Sequence, residues 1–115
     1  MDAGDPLFIL LTSGSMGKLK GLVHATAGHA VWAHYTCTNV FNLGRDSGVK
    51  YTCVADAGWI TGLTYIVCAP LLFGNQTMVL ESTPVYPDEG RYWDLVQRHK
   101  IEVFYIAPTK IRSLI

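Results

Sequence analysis

Leu7-Phe8-Ile9-Leu10-Leu11-Thr12-Ser13-Gly14-Ser15-Met16-Gly17-Lys18-Leu19-Lys20-Gly21 sets an unbroken apolar run directly against a loop of glycines, hydroxyls and lysines. The run has the length, and lacks the alternation, of a strand buried on both faces of a parallel sheet. The loop is what such a strand would offer an anion: glycines that let backbone N–H groups come close, hydroxyls that donate, and ammonium groups that neutralise charge. It is not a Walker A sequence, in which glycine-lysine is followed by Ser or Thr, because Lys18 is followed by Leu19. It reads T-S-G-S-x-G-x-x-K-G. The amides of Gly14 to Gly17, the hydroxyls of Thr12, Ser13 and Ser15 and the amine of Lys20 make a set able to wrap a polyphosphate. Alone, a Gly/Ser/Lys loop is more often an ordinary turn; a buried strand before it and an α/β pattern around it favour phosphate.

The surrounding composition is that of a protein interior. In 115 residues, 50% are hydrophobic and only 16% charged, whereas a domain of this size leaves much of its surface in water. Nine Lys+Arg balance nine Asp+Glu, so no net field favours nucleic acid or an acidic membrane. Cys37, Cys53 and Cys68 form no C-x-x-C, and an odd number cannot pair completely, so free and mostly buried thiols are expected. Met1-Asp2-Ala3-Gly4-Asp5 is unlike a secretory signal or an Arg-rich transit peptide. The longest apolar stretch, Tyr65 to Phe73, holds Pro70 and is far short of the ~20 residues that span a bilayer.

Reading onward, His24 to about Val40 suits a helix with a small-residue face, weakened by Gly28. Asn42 to Lys50 is a turn cluster, and Tyr51 to Ala55 a second buried strand that ends in the polar loop Asp56 to Gly62. Leu63 to Phe73 reads as a helix bent or ended near Pro70. Gln76 to Glu81 reads as strand three, and Asp88 as the N-cap of a helix through Lys100. Glu102 to Ile106 is strand four, and Ala107-Pro108-Thr109 opens a last helix. The expected class is therefore α/β: repeated βα units forming part of a parallel sheet with helices on its faces. Ligands of such sheets collect at the carboxyl ends of the strands. That rule selects the first loop, the Asp56 to Gly62 loop and the Ala107 to Thr109 turn as parts of one site.

Other polar residues have plainer readings. His24, His29, His34 and His99 fall at spacings that do not put two ligands on one helical face, so packed or surface histidines are favoured over metal ligation. For Asp56, structuring of its loop through side-chain to backbone bonds is favoured over catalysis. Tyr92 and Trp93 read as helix packing, and Arg112 as a solvated surface residue.

The first loop, with Asp5-Pro6-Leu7-Phe8 before it and Gly21-x-Val23-His24 after it, resembles the signature of the adenylate-forming enzymes. The segments Cys53-Val54-Ala55-Asp56-x-Gly58-Trp59-Ile60-Thr61-Gly62, Glu81 to Pro87, Gly90 to Trp93 and Ala107-Pro108-Thr109-x-Ile111-Arg112 narrow the likeness to the acetyl-coenzyme A synthetases. The Glu81 to Pro87 and Gly90 to Trp93 wording resembles the mitochondrial form. The resemblance implies a fragment of the large N-terminal adenylation domain, incomplete at both ends, located in the mitochondrial matrix or alternatively the cytosol. It implies an acetate–coenzyme A ligase. Acetate attacks the α-phosphate of magnesium-bound ATP (Mg2+) to give acetyl-adenylate and pyrophosphate, and the thiol of coenzyme A then displaces AMP. By position, Thr12, Ser13, Gly14, Ser15, Gly17 and Lys20 are implied to handle the β- and γ-phosphates. Trp59, Ile60 and Thr61 are implied to wall the acetate pocket, with Thr61 also at a coenzyme A contact. No catalytic residue of the family falls in this stretch, and the partners implied are small molecules and the remainder of the synthetase.

Several positions depart from the family's usual residues. Met16 replaces threonine, Leu19 proline, Leu11 tyrosine, Leu63 histidine, Ala69 glycine and Lys110 alanine. Val85 stands where bacterial relatives carry asparagine. Two further readings follow: a non-catalytic chain that retains at most nucleotide or protein binding, and a propionate-preferring relative. In isolation the chain is expected to be inactive and prone to aggregate, with sheet edges and apolar helix faces uncovered.

Overall fold

The computed structural model describes residues 1–13, 17–45, 47–81, 83 and 85–114. The fold is built around two parallel strands, β3 (Tyr51–Val54) and β4 (Val103–Ile106), paired in the register Tyr51↔Val103 through Val54↔Ile106. All of β3 is buried. Its apolar run and β-branched residues suit a strand covered on both faces.

The opening run folds otherwise than the sequence reading expects. β1 (Pro6–Thr12) pairs antiparallel with β2 (Lys20–Ala25), in the register Thr12↔Lys20. A parallel neighbour requires a crossover of a dozen or more residues, and the connection here runs only from Ser13 to Leu19. Gly17 sits in that connection at φ +76°, a conformation that side chains with a Cβ adopt only at a cost. The strand is not buried on both faces either: Phe8 and Leu10 are half-buried, whereas Ile9 and Leu11 are 61% and 66% exposed.

Helix α1 (Thr26–Val40) follows β2 directly. Its start is tied to the β1 entrance, where the Thr26 backbone N–H and hydroxyl both donate to the Asp5 carbonyl at 2.9 Å. His29, Ala33 and Cys37, one turn apart, form its buried stripe. Ala33 and Cys37 pack with Tyr51, Cys53, Ile66 and Phe73 in the main core. The expected helix after the Asp56 loop is one path of three windings: α2 (Ile60–Gly62), a π-helical stretch Leu63–Cys68, and α3 (Ala69–Leu72). Pro70 has no N–H for the carbonyl of Ile66, four residues back, and the hydroxyl of Thr77 donates to that carbonyl at 2.9 Å instead.

Thr77 belongs to the expected third strand, which the structure reduces to a single parallel bridge, Tyr51↔Thr77. The segment is held beside β3 largely by hydroxyls, Thr52 donating to the Met78 carbonyl at 3.2 Å. Helix α4 (Arg91–His99) starts later than expected, with Gly90 at the N-cap. Asp88 turns the chain ahead of it by accepting the Gly90 N–H at 2.8 Å. Helix α5 (Pro108–Arg112) leaves β4, with Pro in its first turn as expected. Leu114, Tyr92 and Val54 close a second, smaller core on the other face of the sheet.

Trp32, Tyr35, Val31, Ile9, Leu11 and Val23 are each at least 60% exposed. Apolar surface on this scale is a docking or aggregation surface in a monomer. The 115-residue chain is expected to self-associate at micromolar concentration in sedimentation velocity, and a sharp monomer boundary would contradict this. Two glycines give contrasting outcomes. A Cβ at Gly62 would run into the Asp56 carbonyl oxygen and lie 2.8 Å from the Ala57 Cα, so Gly62→Ala should lose about 3 kcal/mol or not fold. A Cβ at Gly28 meets open space, so Gly28→Ala should gain up to ~1 kcal/mol. Urea denaturation of the two variants beside the parent checks both.

Candidate active site at the carboxyl ends of the strands

Parallel pairing sends both chains out of the sheet at the same end, after Val54 and after Ile106. A cavity of about 500 Å³ lies there, walled by Cys53, Val54, Ala55, Asp56, Trp59 and Thr61 from one side and by residues 105–110 from the other. The Asp56 to Gly62 loop and the Ala107 to Thr109 turn thus meet, as the strand-end rule requires. The wall is mainly apolar with a few polar side chains, the usual character of a small-molecule site.

The loop on the β3 side owes its shape to Asp56. Its Oδ1 accepts the Gly58 N–H at 2.8 Å, and its carbonyl accepts the Trp59 N–H at 3.1 Å. The side chain therefore structures the loop, as the sequence reading favours. The turn sets Trp59, 71% exposed, at the cavity edge and starts α2 at Ile60. Trp59 and Thr61 face the cavity. Ile60 does not line it: it borders a second cleft of about 380 Å³ with Val23, His24, His29, Trp32 and Thr64. The three consecutive residues expected to wall one pocket are thus divided between two.

The expected phosphate loop lies at the far end of the β1–β2 hairpin. Thr12 and Lys20 face each other across it, the Thr12 hydroxyl making a long 3.5 Å contact to the Lys20 carbonyl. Thr12, Ser13, Gly17 and Lys20 are exposed. Gly14, Ser15 and Met16 lie outside the described residues. None of the described loop residues lines the 500 Å³ cavity. Among the described residues, no three His, Cys, Asp or Glu side chains gather to hold a metal ion. Among the described residues, no helix is long and apolar enough to cross a membrane.

Two features escaped the sequence reading. Phe8, His24 and His29 form an aromatic cluster, Phe8 stacked on His24 at 4.7 Å and edge-on to His29 at 4.9 Å. His29 is buried, its Nε2 has no hydrogen-bond partner among the described residues, and burial followed by the charge of His24 holds its pKa below the ordinary value. The signal was its place at the head of the Ala33–Cys37 stripe. The second is Lys110, which lines the cavity one residue beyond the turn that the strand-end rule selects. Cys37, Cys53 and Cys68 are free. Burial pushes the Cys37 and Cys53 thiols up to about 11, and at Cys53 Tyr51 and Lys110 pull the other way.

The family model for AMP-binding enzymes matches residues 1–115. An acetyl-coenzyme A synthetase of Dictyostelium discoideum is 57% identical over 99% of this chain and 17% of its own length. One of Emericella nidulans is 53% identical over the same shares. The chain spans about a sixth of the length of these relatives. Among solved structures, the acyl-CoA synthetase of Brucella canis superposes with a TM-score of 0.78 at 22% identity, over 99% of this chain and 20% of that one. The luciferase-like enzyme of Zophobas morio does so at 0.72 and 20%, over 99% and 24%. At such identities these two show the fold.

The buried titratable groups fix the direction of the pH dependence. Thiols whose folded pKa is raised stabilise the fold fully below their unfolded value near 9, and that stability is lost as pH rises through about 11. His29, with a lowered pKa, contributes stability above its ordinary value of 6.5 that is lost as pH falls. Urea midpoints should therefore decline on both sides of a neutral plateau. Cys37→Ala/Cys53→Ala should flatten the alkaline limb, and His29→Phe the acid limb.

Proposed function

This chain belongs to the AMP-binding enzyme family, and from that membership we propose that it forms part of an acetate–coenzyme A ligase, its cavity at the strand ends receiving the acid. The observation that carries the reading is the meeting of Trp59 and Thr61 with the Ala107 to Thr109 turn around one mainly apolar cavity. An acid of two carbons offers little to recognise beyond its size and charge, so an aromatic wall that limits depth is the available means of selection.

In this reading Trp59 bounds the methyl end of acetate, and Thr61 supplies a hydroxyl at the rim where the coenzyme A thiol arrives in the second step. The hairpin end supplies the phosphate grip. Thr12, Ser13, Gly17 and Lys20 donate hydrogen bonds and positive charge to the β- and γ-phosphates of magnesium-bound ATP, with Gly14 and Ser15 in the same segment. As the acid oxygen bonds to the α-phosphorus, the bond to the departing pyrophosphate breaks and negative charge grows on that group. Fixed donors at that point lower the barrier without covalent chemistry. No adenine-binding or covalent role is assigned to these residues. The wording of Glu81 to Pro87 and Gly90 to Trp93 supports a mitochondrial location.

Exchange of the matching segment of the Dictyostelium discoideum synthetase for this chain tests the proposal. The chimaera should support acetate-dependent exchange between ATP and labelled pyrophosphate. Within it, Trp59→Ala should raise the KM for acetate roughly tenfold or more, and Lys20→Ala should lower the exchange rate roughly a hundredfold. A folded chimaera that binds ATP yet shows no exchange would favour the non-catalytic reading.

A further inference from the structure

The cavity at the strand ends contains a group that acetate activation, as described above, does not use. Lys110 sits in the first turn of α5, half-buried, and is the only cation among the described residues that line the cavity. Its backbone is engaged by the helix turn, its N–H donating to the Ala107 carbonyl at 2.9 Å and its carbonyl accepting the Ser113 hydroxyl at 2.7 Å. The ammonium is thereby carried on a short rigid element. The acid in the same wall, Asp56, has one oxygen committed to the Gly58 N–H.

We propose that Lys110 is the residue by which this cavity selects carboxylates, its ammonium pairing with a carboxylate group of the bound acid; the proposal rests on the reading of the cavity as an acid site. Lys110 shares the cavity wall with Val54, Ala55, Ile106 and Ala107. An anion that enters this mainly apolar cavity pairs with the ammonium in a medium less polar than water, where the pairing is stronger than at an open surface. The charge of Lys110 also draws the pKa of the Cys53 thiol, in the same wall, downward against its burial. The paired carboxylate has two possible sources: the one that reacts, present in acetate, or a second one, present in a short dicarboxylate such as malonate. A cavity of about 500 Å³ has room for either.

The test is calorimetric titration of the Dictyostelium discoideum chimaera with acetate, malonate and the neutral analogue acetamide, with Lys110→Met and Lys110→Arg beside the parent. Circular dichroism establishes that each variant is folded. Lys110→Met should weaken carboxylate binding roughly tenfold or more, Lys110→Arg should retain it, and acetamide binding should not change. If acetate alone loses affinity in Lys110→Met, the reacting carboxylate is the partner; a larger loss for malonate identifies the second one. Equal carboxylate affinity in the parent and Lys110→Met overturns the proposal while leaving the acid-site reading intact. A parent chimaera that binds none of the three overturns the acid-site reading, and the proposal with it.

Discussion

The parallel pairing of β3 with β4 is the constraint on which the rest depends. Four residue pairs, Tyr51↔Val103 to Val54↔Ile106, join segments about fifty positions apart in the sequence. Closing so long a loop costs conformational entropy, and the contacts that offset it lie on both faces of the same strands. On one face Tyr51 and Cys53 pack with Cys37, Ile66 and Phe73; on the other Val54 packs with Tyr92 and Leu114. A register shift of one residue would exchange the two sets of side chains and break both cores. The same register brings Val54 and Ile106 out of the sheet side by side, so the position of the cavity follows from the packing of the cores.

Most of that arrangement was legible in the sequence, because Tyr51 to Ala55 and Glu102 to Ile106 carry the unalternated apolar pattern of strands covered on both faces. The rule that ligands gather at strand carboxyl ends then joined Asp56–Gly62 to Ala107–Thr109 correctly. The opening run misled because Leu7 to Leu11 has the same apolar pattern but a different fate. Periodicity reports how apolar a segment is, whereas the short connection from Ser13 to Leu19 dictates that its partner runs antiparallel. The third strand failed for a related reason. Gln76 to Glu81 has strand-like residues, yet only Thr77 bridges to Tyr51, and its hydroxyl ties it to the Ile66 carbonyl, a contact visible only once the helical path is known. The division of Trp59 and Thr61 from Ile60 was likewise beyond a linear reading, since it depends on where α2 begins.

The exposed apolar residues of β1, β2 and α1 have a consistent physical context. Ile9, Leu11 and Val23 on the hairpin and Val31, Trp32 and Tyr35 on the helix are apolar side chains in water. The curated relatives are about six times longer than this chain, and a composition that is half hydrophobic suits a segment with further chain packed against it. The two buried cores, in contrast, are closed by residues of this chain alone. Surface and interior thus differ: both cores are lined by residues of this chain, whereas the hairpin and α1 present apolar side chains to solvent.

Within the site, the backbone carries more of the specificity than the side-chain inventory suggests. Asp56 accepts the Gly58 amide, its carbonyl accepts the Trp59 amide, and Gly62 passes so close to that carbonyl that no Cβ fits between them. These three contacts fix the turn before α2 and therefore the directions in which residues 59, 60 and 61 point. Trp59 and Thr61 line the strand-end cavity while Ile60 between them borders the cleft beside His29. One helical turn consequently borders both spaces. A change that moves the turn before α2 therefore acts on both at once, through the three residues that it carries.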